Sequence, residues 1–185
     1  MQSALLILGA EKGEFAKGVY NEGLFEAAFK LLKDTIDVTT TKIYEGYDVA
    51  QEIEKFKTSD VIIFQYPVYW FSLPPSLKSY LDQVYAYDEF YAFNDGPYGS
   101  GGLMKEKKYM LSTTWNAPLE AFNNPDNALL KGASVQDMIF PMCKAQEYCG
   151  MIPLEHFSCH DVVKNPQFEA DRDHYVQHLT KIFQL

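Results

Sequence analysis

An open, doubly wound α/β sheet is the fold class this 185-residue chain predicts. Three observations carry it. Strand-length runs of apolar residues recur without polar alternation, as in Ala4-Leu5-Leu6-Ile7-Leu8 and Val61-Ile62-Ile63-Phe64, the pattern of strands buried on both faces. Segments with helical spacing fill the intervals between them. Strand and helix therefore alternate from end to end, which is how a parallel sheet is wound. The length suits one domain over 1–185, and the composition, 47% hydrophobic and 22% charged, is that of a folded globular protein.

Taken in order, Ala4–Leu8 is the first strand, followed by a helix with Leu24, Ala28, Leu31 and Leu32 on one face. Ile36–Thr40 alternates and reads as an edge or near-edge strand. Asp48 is placed to cap a helix carrying Val49, Ile53 and Phe56. After Val61–Phe64, Pro74-Pro75 opens a helix with Leu77, Tyr80, Leu81 and Val84 on one stripe, since proline is tolerated in a first turn. Tyr109–Thr114 is the next strand. Ser134 is placed to cap a helix through Met138, Met142, Ala145 and Cys149, with Pro141 set to kink or split it. Leu154–Ser158 is the last strand, and Phe168, Arg172, Tyr175, Leu179 and Ile182 give the closing helix one stripe.

Lys+Arg of 16 against Asp+Glu of 25 leaves a net charge of −9, which repels polyphosphate and argues against nucleic acid or an anionic membrane as partner. Cys143, Cys149 and Cys159 are odd in number and lack zinc-ribbon or C-x-x-C spacing, so neither a disulfide framework nor a metal site is expected. His174 and His178 lie four apart on the last helix without an obvious third ligand; His156 and His160 bracket a strand end. No basic stretch precedes an apolar secretory core, and no run approaches a membrane span. A reducing, cytoplasmic setting is expected.

Ligands of such a sheet bind outside the carboxyl ends of the strands, which directs attention to three loops. The first, Gly9 to Asn21, could seat a phosphate on the helix that begins near Gly18, although it matches neither the G-x-G-x-x-G nor the P-loop pattern. The second, Gln65 to Pro75, places Tyr69, Trp70 and Phe71 directly after a buried strand, where an indole and a phenyl ring can flank a planar heterocycle. The third, Ser112 to Pro118, offers hydroxyls, an amide and turn N–H groups for a heteroaromatic carbonyl edge. Each has a purely structural counterpart: turn glycines, aromatics packed beneath the next helix, and ordinary Asx and Ser/Thr turns. The long segment Ala86–Lys107, rich in Gly and Asn, is of a length more often functional than idle.

These residues carry a family resemblance. Pro67-Val68-Tyr69-Trp70-Phe71-Ser72-Leu73-Pro74 resembles the flavin-contacting motif of NAD(P)H quinone dehydrogenases. Tyr98-Gly99-Ser100-Gly101-Gly102-Leu103 and Thr114-Trp115-Asn116-Ala117-Pro118-Leu119-Glu120-Ala121-Phe122 resemble still more closely the modulator of drug activity B family, over nearly the whole chain. The resemblance implies a flavodoxin-like doubly wound five-stranded parallel sheet with helices on both faces, a homodimer, bound FAD rather than FMN, and ping-pong two-electron reduction of a quinone or nitroaromatic by NADPH or NADH. By position it implies that Pro67, Val68, Tyr69, Trp70 and Phe71 contact the isoalloxazine and ribityl portion. Thr114, Trp115, Asn116 and Ala117 would hold the pyrimidine edge, Tyr98 the cofactor or substrate mouth, and Lys17, Gly18, Tyr20 and Asn21 the pyrophosphate. No side chain is required as nucleophile, because the flavin carries the hydride. The first loop departs from the pattern: Ala16-Lys17-Gly18 stands where relatives have a His-Ser or similar pair. A regulatory flavoprotein subunit of a potassium-efflux transporter is the competing reading, opposed by Trp115-Asn116-Ala117-Pro118.

Overall fold

A computed structural model describes residues 1–13 and 17–185. Among the described residues, five α-helices and six strands follow one another, alternating except at the consecutive β5 and β6. β1 (Ser3–Leu8), β2 (Asp37–Lys42), β3 (Val61–Pro67) and β4 (Lys108–Thr114) are joined in parallel by two short strands, β5 (Ile152–Pro153) and β6 (Phe157–Cys159). The order is β2-β1-β3-β4-β5, with β6 also on β4. β1, β3 and β4 are buried on both faces; β1 and β3 carry the continuous apolar runs, while β4 carries Tyr109-Met110-Leu111 and ends in buried Ser112, Thr113 and Thr114, whereas β2 at the edge is largely polar, as the two strand environments require.

Helices cover both faces. α1 (Val19–Leu32) and α5 (Phe168–Phe183) pack on one side, over Leu6, Leu8, Ile63 and Met110. α2 (Val49–Thr58), α3 (Pro75–Val84) and α4 (Val135–Tyr148) pack on the other, over Leu5, Ile7, Phe64 and Leu111. The expected caps form: Asp48 Oδ1 accepts the Gln51 N–H at 2.9 Å, and Ser134 with Asp137 makes a reciprocal capping box. The three cysteines are buried thiols.

Two expectations need correcting. Leu154–Ser158 is not one continuous strand: only Phe157 and Ser158 of it pair with β4, in β6. The edge breaks around Leu154 to His156, with Tyr109 opposite Pro153 and Ser112 opposite Phe157; three steps on β4 face four on its neighbour, which is a bulge. In α4 the helix runs unbroken through Pro141; Pro141 and Asp137, four residues back, both lie on the exposed stripe, where an unpaired carbonyl has access to water. The buried stripe is Ile139, Met142, Cys143 and Gln146, rotated from the expected one. A buried glutamine is tolerated because it accepts from the Tyr85 hydroxyl and donates to the Met142 sulfur.

Candidate functional site

The carboxyl ends of β1, β3 and β4 lie side by side, and the turns leaving them are tied together. Val68 donates its N–H to the Thr114 carbonyl at 3.0 Å, extending the β3–β4 ladder past the strand ends. Tyr69 and Ser72 then exchange N–H···O bonds at 3.0 and 2.9 Å, closing a two-residue turn whose central residues have positive φ, 51° at Trp70 and 61° at Phe71. That conformation favours Asn and Gly, and costs an aromatic residue roughly 1 kcal/mol or more. Its result is exposure. The Trp70 ring is 95% exposed and Phe71 45%, so neither packs beneath α3.

Trp115 is arranged the opposite way. It is buried, donates its indole N–H to Thr113 Oγ1 at 2.9 Å, and packs against Phe122 edge-on at 5.2 Å and His160 nearly parallel. Its carbonyl accepts from Val162 N–H at 3.1 Å, and that of Ala117 accepts from Asp161 N–H at 3.2 Å. The third loop is thus pinned, with Asn116 exposed. Between the two turns lies an open groove of about 510 Å³ walled by Val68, Tyr69, Trp70 and Phe71 on one side and Trp115, Asn116 and Ala117 on the other. Behind it, sharing Val68, Phe71 and Trp115, an apolar chamber of about 170 Å³ extends between α3 and α4 to Leu81 and Met142.

The first loop is less complete, since Glu14, Phe15 and Ala16 lie outside the described residues. Gly18 has φ 71° and gives α1 no side-chain cap, leaving first-turn N–H groups for an anion. A β-carbon there would lie 2.9 Å from the Glu11 carbonyl. The N-terminus of α3 is already served: Glu11 Oε1 accepts the Ser76 N–H at 3.0 Å. Lys17 is exposed. Lys12 stands over the Tyr44 ring and pairs with Glu22.

The structure therefore brings Val68–Phe71 together with Trp115–Ala117, with Pro67 opposite Thr114 in register. Tyr98 is not among these walls. It is 97% exposed and lines a different concavity with Tyr85, Tyr91 and Tyr148. Tyr20 donates to Asp171 of α5, which burial and that carboxylate hold as a neutral phenol. The Asn21 side chain turns inward, to Gln65 and Thr114. Gln65 and Glu11 were not singled out from sequence; the signal for Gln65 is one amide inside an apolar strand.

His178 Nε2 sits 2.9 Å from the Glu155 carbonyl, and among the described residues no group of three or more His, Cys, Asp or Glu is placed to hold a metal.

Sheet order and groove position define a class, the doubly wound proteins that bind a ligand where the strand order reverses. The chain belongs to the flavodoxin-like fold family, whose model matches residues 4–182. It is 38% identical over 189 residues to the NADPH:quinone oxidoreductase MdaB of Haemophilus influenzae, covering 97% of this chain and 98% of that one. An uncharacterised protein of Schizosaccharomyces pombe is also 38% identical, over 194 residues, covering 97% and 96%. Among solved structures, the general stress protein 14 of Treponema denticola, in complex with FMN, superposes with a TM-score of 0.74 at 25% identity, covering 97% and 98%.

Proposed function

We propose that this chain is a flavin-dependent NAD(P)H:quinone oxidoreductase. The groove between Trp70–Phe71 and Trp115–Ala117 carries the reading: two turns from neighbouring parallel strands are held apart by a slot, with aromatic faces on one wall and an amide and backbone edge on the other. Full-length similarity to a quinone oxidoreductase supports it, as does the FMN held by a structural neighbour.

The uncapped first turn of α1 fits a flavin phosphate, and the Trp115–Ala117 loop fits a pyrimidine edge. A bound flavin supplies a reversible two-electron hydride acceptor. The chain's own residues do the rest. Trp70 and Phe71 offer ring faces to a planar group, Asn116 and the adjacent backbone orient its polar edge, and Val68 with the chamber behind keeps that side dry. One groove serves reduced nicotinamide and quinone or nitroaromatic in turn, so the kinetics are ping-pong. FAD is the proposed cofactor, with room for FMN because the first loop departs from its relatives.

We further propose a single cytoplasmic domain that works as a homodimer. Exposed Phe93 and Tyr98, beside Tyr87, Tyr91 and Tyr148, form an aromatic surface of the kind that marks a protein interface. Among the described residues no helix is long and apolar enough to cross a membrane.

The test is a visible spectrum of purified protein, mass identification of the released chromophore, and NADPH oxidation with menadione. A yellow protein that turns over menadione with parallel double-reciprocal lines is expected. Colourless protein that remains inactive after FAD or FMN addition overturns the reading. Tight association with a transporter's cytoplasmic domain, without quinone turnover, would favour a regulatory subunit.

A further inference from the structure

Three side chains at the strand ends form a line of hydrogen bonds. Gln65 Nε2 donates to Asn21 Oδ1 at 2.8 Å, and Asn21 Nδ2 donates to Thr114 Oγ1, also at 2.8 Å. All three are buried, at 1%, 3% and 3% exposure. The line starts in the middle of the sheet, passes through the first turn of α1, and ends where β4 gives way to the groove loop. It therefore connects the helix end suited to a phosphate with the turn suited to a ring.

Its direction matters. A hydroxyl has one proton and two lone pairs. Asn21 occupies a lone pair of Thr114, which leaves the Thr114 O–H to donate elsewhere, and among the described residues it has no acceptor. Buried donors are rarely left without a partner. Three apolar side chains would fill this layer at no desolvation cost, so a role confined to packing does not call for two amides and a hydroxyl.

We infer that Asn21 is a positioning residue: by occupying the Thr114 lone pair, it turns the Thr114 O–H toward a ribityl hydroxyl of the bound flavin, midway between the phosphate and the ring. Gln65 Nε2 donates to the Asn21 oxygen in turn, its own buried Oε1 having no partner among the described residues. The inference rests on the flavin reading, and it moves Asn21 from a pyrophosphate contact to the support of a ribityl contact.

Riboflavin and lumiflavin separate the possibilities, because they share the ring, lack the phosphate, and differ in the ribityl chain. Affinities are read from flavin fluorescence for wild type, Thr114→Val, Asn21→Ala and the double variant, with apoprotein unfolding followed in parallel. Asn21→Asp keeps the shape and accepts the Thr114 proton, which provides a variant should Asn21→Ala fold poorly. Each single variant is expected to weaken riboflavin roughly tenfold, the net worth of about one hydrogen bond. The double variant should be no weaker than either single one, and lumiflavin affinity should stay within about twofold. Losses that multiply in the double variant, equal losses for both flavins, or lowered apoprotein stability with unchanged riboflavin affinity would each overturn the inference. Wild-type protein that binds neither these nor FMN or FAD removes the flavin reading itself.

Discussion

The Leu111 amide donates its N–H to Nδ1 of His156 at 3.2 Å. An imidazole thereby occupies a place in the parallel ladder that a strand carbonyl would hold, at the bulge between β5 and β6. Only neutral imidazole can accept there, with its proton on Nε2, which lies 3.4 Å from Cys143 Sγ. Burial holds His156 down at about 4, against the opposing pull of Glu147. In the unfolded chain the same ring titrates near 6.5. The unfolded state therefore binds the extra proton between those two values. Stability from this ring is full above about pH 6.5, falls on acidification through the window, and levels off below about pH 4, by up to about 1.4 kcal/mol per unit before allowance for solvent access. Urea unfolding of wild type and His156→Asn from pH 7 to 4 checks this. The variant is expected to lose about 1–2 kcal/mol at pH 7 and to have a flatter slope.

At Trp70-Phe71 the sequence and the turn conflict, and the conflict is the clue to use. Both residues hold positive φ, where Asn-Gly is the favoured pair. Replacing Trp70-Phe71 by Asn-Gly is expected to stabilise the apoprotein by about 1 kcal/mol, raising Tm by roughly 2–4 °C, while weakening flavin affinity at least tenfold through loss of two ring faces. Calorimetry and flavin titration on the same samples measure both. A variant that is stabilised and still binds flavin normally would show that the exposed rings do not serve the cofactor.

Glu52 ties α2 to both neighbours. Its buried carboxylate accepts from Thr41 Oγ1 at 2.7 Å, Tyr80 OH at 2.6 Å and Lys55 Nζ at 2.6 Å, joining β2, α2 and α3. Every partner is a donor. Glu52→Gln turns an amide N–H₂ toward at least one of them and is expected to cost about 1–3 kcal/mol, seen in denaturant melts. Turnover at room temperature should be unchanged, because the groove takes no residue from this cluster.

The layered fold was legible because Ala4–Leu8 and Val61–Phe64 are apolar without alternation, which only doubly covered strands show. The groove was legible in outline, since strand ends in such sheets converge by topology. Side-chain direction was not. Trp70 and Trp115 are both tryptophans after parallel strands, yet one is almost wholly exposed and the other buried. The difference comes from positive φ in one turn and backbone bonds from Asp161 and Val162 in the other, partners more than forty residues away. The inward turn of Asn21 depends likewise on Gln65 and Thr114. The broken edge strand escaped periodicity because a side chain replaces the backbone there.

The Tyr98–Leu103 motif owes two of its glycines, Gly101 and Gly102, to backbone contact. A β-carbon on Gly101 would lie 1.9 Å from the Ala92 carbonyl oxygen, and one on Gly102 would lie 2.4 Å from Cys149 C and Gly150 N. Backbone on both sides leaves no flexible atom to yield. The same contacts seat the 86–107 segment: Ala92 N–H bonds the Gly101 carbonyl at 2.9 Å, and Met104 N–H bonds that of Cys149 at 2.8 Å. Gly102→Ala is expected to unseat the segment from the end of α4 and displace the aromatic surface around Tyr98 and Tyr148, at a cost of about 2–4 kcal/mol. Gly99 has φ 85° and open space around its β-position, so Gly99→Ala should cost only about 1 kcal/mol, from backbone strain alone. Hydrogen exchange localises the difference: in Gly102→Ala the Ala92 and Met104 amides should lose protection ahead of the sheet, and in Gly99→Ala they should not. Equal protection in the two variants would mean that this close approach does not hold the segment in place.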